Sequence, residues 1–169
     1  MKHIVTKYFV TQIIFLKKFQ LPTLTARMTS NTQHPALGID CGDARIGIAA
    51  TDEFGIMAHP VETVPNDYRD PIPRIRDIAK LRKVKTLIVG LPLRLDGTEG
   101  DSAIKVRSFA KRLATALPEL PMIFVDESYT TMTAAQKLRE AGRKSHQHKA
   151  IIDQVAAVEI LNLWMEENP

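Results

Sequence analysis

The spacing of hydrophobic positions changes several times along the chain, and each change marks an element. "ALGID" (36–40) is a short apolar run ending on an acid. "RIGIAAT" (45–51) resumes the pattern after a tight Gly42-Asp43 turn, so the two predict a β-hairpin. "AHPVETV" (58–64) alternates as a third strand would, and the three together predict an antiparallel meander. Pro65-Asn66-Asp67 ends it. Pro71 then suits the first turn of a helix running to about Lys83, with Ile72, Ile75, Ile78, Ala79 and Leu81 on one side.

Beyond this helix the apolar runs become continuous. "KTLIVGLP" (85–92), ended by Gly90, and "PMIFVDE" (121–127) read as strands buried on both faces, the habit of parallel strands. Between them lies the polar loop "LRLDGTEGDS". A helix follows from about Ser102 to Leu117, with Ile104, Val106, Phe109, Ala110 and Leu113 as its apolar side and Pro118 as its stop. "TTMTAAQKLREAG" predicts a helix opened by threonine caps and closed by Gly142. "RKSHQHK" (143–149) reads as a basic loop. "AIIDQVAAVEILNLWMEE" predicts a last amphipathic helix with Ile152, Val155, Ala156, Ile160, Leu163 and Trp164 in the core. Three antiparallel strands followed by alternating helices and strands imply a mixed α/β sheet with a parallel extension built by right-handed crossovers.

A chain of 169 residues suits one domain with a sizeable core. The single cysteine, Cys41, excludes an internal disulfide, no Cys/His cluster has zinc spacing, and a reducing cytoplasm fits. The net charge of +4 is not a property of the body. Lys2, Lys7, Lys17, Lys18 and Arg27 precede the first acid, which leaves 18 of the 23 basic residues against 19 acids. Any surface for nucleic acid must therefore come from the arrangement of charges. The apolar stretch "YFVTQIIFL" is too short to span a bilayer, and no stable membrane association is expected. Residues 1–33 are expected to be an extension outside the fold, with Met28 as the natural start and 34–169 as the domain.

The chemistry lies in acids at element ends. Asp40 closes "LGID", Asp126-Glu127 closes "IFVDE", and Asp153 interrupts the apolar start of the last helix. Asp40 alone reads as a cap or turn former, and Asp126 equally as the N-cap of the next helix. Asp153, among Ile151, Ile152 and Val155, reads as partly buried. Together they fit another pattern, because ligands of open α/β sheets bind at the carboxyl ends of strands. Carboxylates can gather there only if something offsets their repulsion, and a divalent cation does so. An all-oxygen set without His or Cys fits Mg²⁺ or Mn²⁺, the ions that serve phosphodiester hydrolysis.

Four blocks, "LGIDCGDARIGIAATD", "LIVGLPLRLDGTEG", "VDESYTTMTA" and "IIDQVAAVEIL", resemble in order and spacing the YqgF family of Holliday junction resolvase-like proteins. That family is also described as a nuclease processing the 5′ end of pre-16S rRNA. The resemblance runs from about Ala36 to Met165 and implies a ribonuclease H-like fold with a metal-dependent nuclease site. It implies Asp40, Glu127 and Asp153 as catalytic metal ligands, with Asp126 as a second candidate beside Glu127. The third block departs from the family's Asp-Glu-Arg, since Ser128 stands where the arginine is usual, and a bidentate phosphate contact would be missing there.

The basic groups have two readings each. Arg45 either reaches a substrate phosphate or pairs with Asp43 or Asp52. Arg94 and Gly97 belong to an ordinary strand-to-helix connection, or, as the resemblance implies, to a loop contacting substrate. Arg143, Lys144 and Lys149 form either a solvated surface or a backbone-binding loop beside Asp153. The leading expectation is an endonuclease acting on precursor rRNA, with branched DNA as the rival substrate, for which a homodimer would be suited. Two other classes stand beside it: a non-catalytic RNA-binding module, and an ATP-binding module of the actin and sugar-kinase type. A P-loop signature is absent.

Overall fold

The computed structural model describes residues 33–66, 69–127 and 146–168, of which 146–150 are described in backbone alone. β1 (Ala36–Cys41), β2 (Arg45–Thr51) and β3 (Ala58–Pro65) form the antiparallel meander. α1 (Ile72–Leu81) leads to β4 (Thr86–Leu91), and α2 (Asp101–Ala116) leads to β5 (Met122–Asp126). α3 (His146–Glu167) ends the described chain. The strands make one sheet in the order β3-β2-β1-β4-β5, with β4 parallel to both β1 and β5. This mixed five-stranded sheet flanked by helices is the ribonuclease H-like fold that the resemblance implies. The helix expected over 130–141 lies outside the described residues.

Alternation along each strand divides the core in two. Leu37 and Ile39 of β1, Ile46, Ile48 and Ala50 of β2, and Leu87, Val89 and Leu91 of β4 point to one face. There they meet Ile72, Ile75, Ile78 and Ala79 of α1 and Ala103, Val106, Phe109 and Leu113 of α2. The intervening residues, Ala36, Ala49, Ile88 and Val125, point to the other face, under Ala157, Ile160, Leu161 and Trp164 of α3.

Three expected core residues are exposed: Leu81 at 83%, Ile104 at 59% and Val155 at 42%. Each falls outside the buried stripe of its helix. Ile104 neighbours the buried Ala103 and so falls a third of a turn away from the sheet, and Leu81 stands opposite Ile72. α3 also begins earlier than expected: His146 to Lys149, expected in a basic loop, are helical. β4 does not end at Gly90 but runs through it to Leu91.

Candidate active site

Asp40 is the penultimate residue of β1, 7% exposed, with its side chain on the α3 face of the sheet by alternation with Ile39 and Cys41. Its register partner on β2 is Gly47. On β4, the parallel register Ile39↔Val89 brings Gly90 next in line beside it. Asp40 therefore stands between two residues with no side chain. Both gaps are filled by groups from elsewhere. A Cβ on Gly47 would collide with the backbone carbonyl of Asp153, and one on Gly90 with the carboxylate of Glu127 and with Cδ1 of Ile160 at 2.5 Å. The two glycines thus let the backbone of α3 and the side chain of Glu127 lie directly on the sheet, on either side of Asp40.

Glu127 follows β5 and continues its pairing, its backbone N–H donating to Leu91 O at 3.1 Å. Asp126 opposes Leu91 and, by the same alternation as Phe124 and Met122, belongs to the α1/α2 face. The two neighbouring acids thus stand on opposite sides of the sheet, and Glu127 shares Asp40's side. Cys41 registers both charges: burial first, then the Asp40 and Glu127 carboxylates, push its thiol far above the ordinary range.

Asp153 sits in the first half of α3 and accepts a 2.7 Å hydrogen bond from Arg45 Nε. Arg45 is two residues from Gly47 on β2, hence on the same face. It pairs with neither Asp43 nor Asp52, the partners considered from sequence. Asp43 instead receives Lys105 Nζ of α2 at 2.8 Å, which ties that helix to the β1–β2 turn. Asp52 caps the β2–β3 turn through the N–H groups of Phe54, Ile56 and Met57. Burial alone would raise the Asp52 carboxyl, but these bonds outweigh it and hold it below its ordinary value. Next to Asp153, Gln154 Nε2 donates to Thr63 Oγ1 at 3.1 Å, and Thr63 is the β3 partner of Gly47. Sequence reading did not find this pair. A glutamine on a helix and a threonine on an edge strand leave no joint periodic signal.

The loop after β4 closes on itself. Arg94 N–H donates to Thr98 O, Gly97 N–H donates to Arg94 O at 2.8 Å, and Thr98 Oγ1 donates to Asp96 at 2.6 Å. Gly97 is required by its φ of +79°, not by close approach, since a Cβ there would meet nothing. Arg94 is exposed, with its guanidinium beside Gly100 at the start of α2. Arg143 and Lys144 lie outside the described residues, as does the side chain of Lys149.

The donor set fits a hard divalent cation in kind: carboxylates from three distant chain segments on one face, with the Glu127 carboxylate and the Asp153 backbone in glycine cradles that any Cβ would fill. Among the described residues no three such side chains already form a closed cation cluster. Asp153 is engaged with Arg45 instead.

A family model described as "RuvX: Holliday junction resolvase" matches residues 34–167. A protein of Streptomyces avermitilis named "Putative pre-16S rRNA nuclease" is 44% identical over 131 residues, covering 77% of this chain and 84% of that one. One of the same name from Streptomyces coelicolor is 46% identical over 131 residues, covering 77% and 78%. Among solved structures, T. thermophilus RuvC in complex with Holliday junction substrate aligns with a TM-score of 0.47 at 14% identity, covering 78% of this chain and 93% of that one.

Proposed function

The chain belongs to the RuvX family of Holliday junction resolvases, and from that premise we propose that it is a divalent-cation-dependent endonuclease of ribosome biogenesis acting on the 5′ end of pre-16S rRNA. The observation that carries the reading is the convergence of Asp40, Glu127 and the Asp153 segment on one glycine-lined patch at the carboxyl ends of β1 and β4. The names of the relatives favour the RNA substrate. The family's description favours branched DNA as the second reading.

Asp40, Glu127 and Asp153 would hold Mg²⁺ or Mn²⁺, which when bound neutralises phosphate charge and makes a bound water more acidic. The chain's own contribution is positional. Asp40 is fixed by β1 at the centre of the sheet, with Asp126 supporting the strand end from the other side. Glu127 is held on Asp40's side of the sheet, over Gly90 of the neighbouring strand β4. Arg45 and Arg94 offer guanidinium groups to the phosphodiester backbone, with Arg143, Lys144 and Lys149 extending that basic surface, and contacts of this kind grip without reading sequence. No described helix is long and apolar enough to cross a membrane. A role in ribosomal RNA processing fits the cytoplasm.

The test is direct. The purified protein and Asp40→Asn are incubated with a precursor 16S rRNA fragment and with a four-way DNA junction, in Mn²⁺ or in EDTA. The reading expects rRNA cleavage in Mn²⁺ that EDTA and Asp40→Asn both abolish. Cleavage of the junction alone would establish the DNA reading, and cleavage of neither would leave a binding module.

A further inference from the structure

The Arg45–Asp153 pair has more in it than an ordinary ion pair. Asp153 does not need Arg45 to be held in place. Its backbone is seated on Gly47, and the next residue, Gln154, is bonded to Thr63 of β3. The pair's remaining role is charge. Carboxylates gathered on one face repel one another, and a guanidinium relieves that repulsion without ever losing its proton. It can leave only by displacement. Arg45 is built to leave: its side chain is 30% exposed against 14% for Asp153, and the contact is a single Nε bond, not the two-pronged fork that Arg makes in its tightest carboxylate pairs.

We propose that Arg45 is the resident counter-ion of the cation site, neutralising Asp153 until a divalent cation displaces it towards the substrate phosphate. The proposal rests on the nuclease reading above and adds to it a coupling between cation and substrate. A cation that takes Asp153 frees a phosphate-binding guanidinium, so each ligand strengthens the other, and by linkage the effect is reciprocal.

Mn²⁺ uptake measured by electron paramagnetic resonance, without substrate, separates the two ideas. Wild type is expected to bind Mn²⁺ and Asp40→Asn to lose it. If wild type takes up no Mn²⁺, or Asp40→Asn binds as well as wild type, the nuclease reading itself falls and the counter-ion role with it. Arg45→Gln is expected to bind Mn²⁺ about two- to fivefold more tightly than wild type, the scale of a partly exposed ion pair removed as competitor. Arg45→Lys, which keeps the charge, should stay near wild type. Unchanged or weaker Mn²⁺ binding by Arg45→Gln would show that Arg45 positions Asp153 and does not compete for it. The wild-type protein gives an independent readout. The ¹⁵Nε resonance of Arg45 should shift saturably on Mg²⁺ titration, and a resonance that stays still while Mg²⁺ binds overturns the proposal.

Discussion

One face of the sheet is filled and the other is emptied. On the α1/α2 side, β1, β2 and β4 contribute Leu37, Ile39, Ile46, Ile48, Leu87, Val89 and Leu91, all buried under apolar helices. On the α3 side the same strands contribute Ala36, Gly38, Asp40, Arg45, Gly47, Ala49, Ile88 and Gly90. The first face follows volume: large branched side chains from sheet and helices interlock. The second removes volume at its centre so that a helix backbone and a carboxylate can approach to contact distance. Both faces carry a buried core, and the chemistry lies only on the α3 side, where glycines open it.

The contrast can be broken most severely at the glycines. Gly90→Ala puts a methyl group into the Glu127 carboxylate and against Cδ1 of Ile160, both far ends of side chains that can shift aside. The fold should survive with little loss while cleavage falls about a hundredfold or more, since a misplaced catalytic group costs on that order. Gly47→Ala meets the backbone carbonyl of Asp153, which cannot rotate aside. It should lower stability by about 1–3 kcal/mol as well as activity. Chemical denaturation beside a cleavage assay separates the two, and equal stability losses would mean that the two approaches do not differ in kind.

The opposite face should answer in stability alone. Ile48→Val, within the filled core, is expected to cost about 0.5–1.5 kcal/mol with cleavage retained. A hundredfold activity loss there would show the faces to be coupled.

The smallest effect is at the far end of α3. His34 Nδ1 lies 2.8 Å from Thr51 Oγ1, and its ring lies 5.0 Å from that of Trp164. Burial, partly opposed by Asp52, holds its imidazole below the ordinary 6.5. The unfolded chain therefore takes up this proton before the folded one does. His34's contribution is present above pH 6.5 and is lost as pH falls through its folded value. The stability gap between wild type and His34→Gln should narrow from pH 7.5 to 5.5 in thermal melts. A constant gap would mean that the folded imidazole titrates normally.

The sequence made the sheet legible because periodicity reports which residues of one strand share a side. The hairpin, the meander and the two continuous strands all follow from it. Helix faces were less legible: Leu81, Ile104 and Val155 are apolar but fall outside the buried stripes of their helices. The arrangement of the site was the least legible. That Asp40 stands between Gly47 and Gly90 is a fact of register between strands, and Gly90 alone looked like a strand end. Arg45 meets Asp153 across 108 positions of sequence, so only the folded α3 brings them together.

The account's central claim is that the face of the sheet decides which carboxylate works. Asp126 and Glu127 test it, being adjacent, alike in charge and on opposite sides. Mn²⁺-dependent cleavage of precursor 16S rRNA should be lost in Glu127→Gln and retained in Asp126→Asn. Loss in Asp126→Asn with activity kept in Glu127→Gln would contradict it.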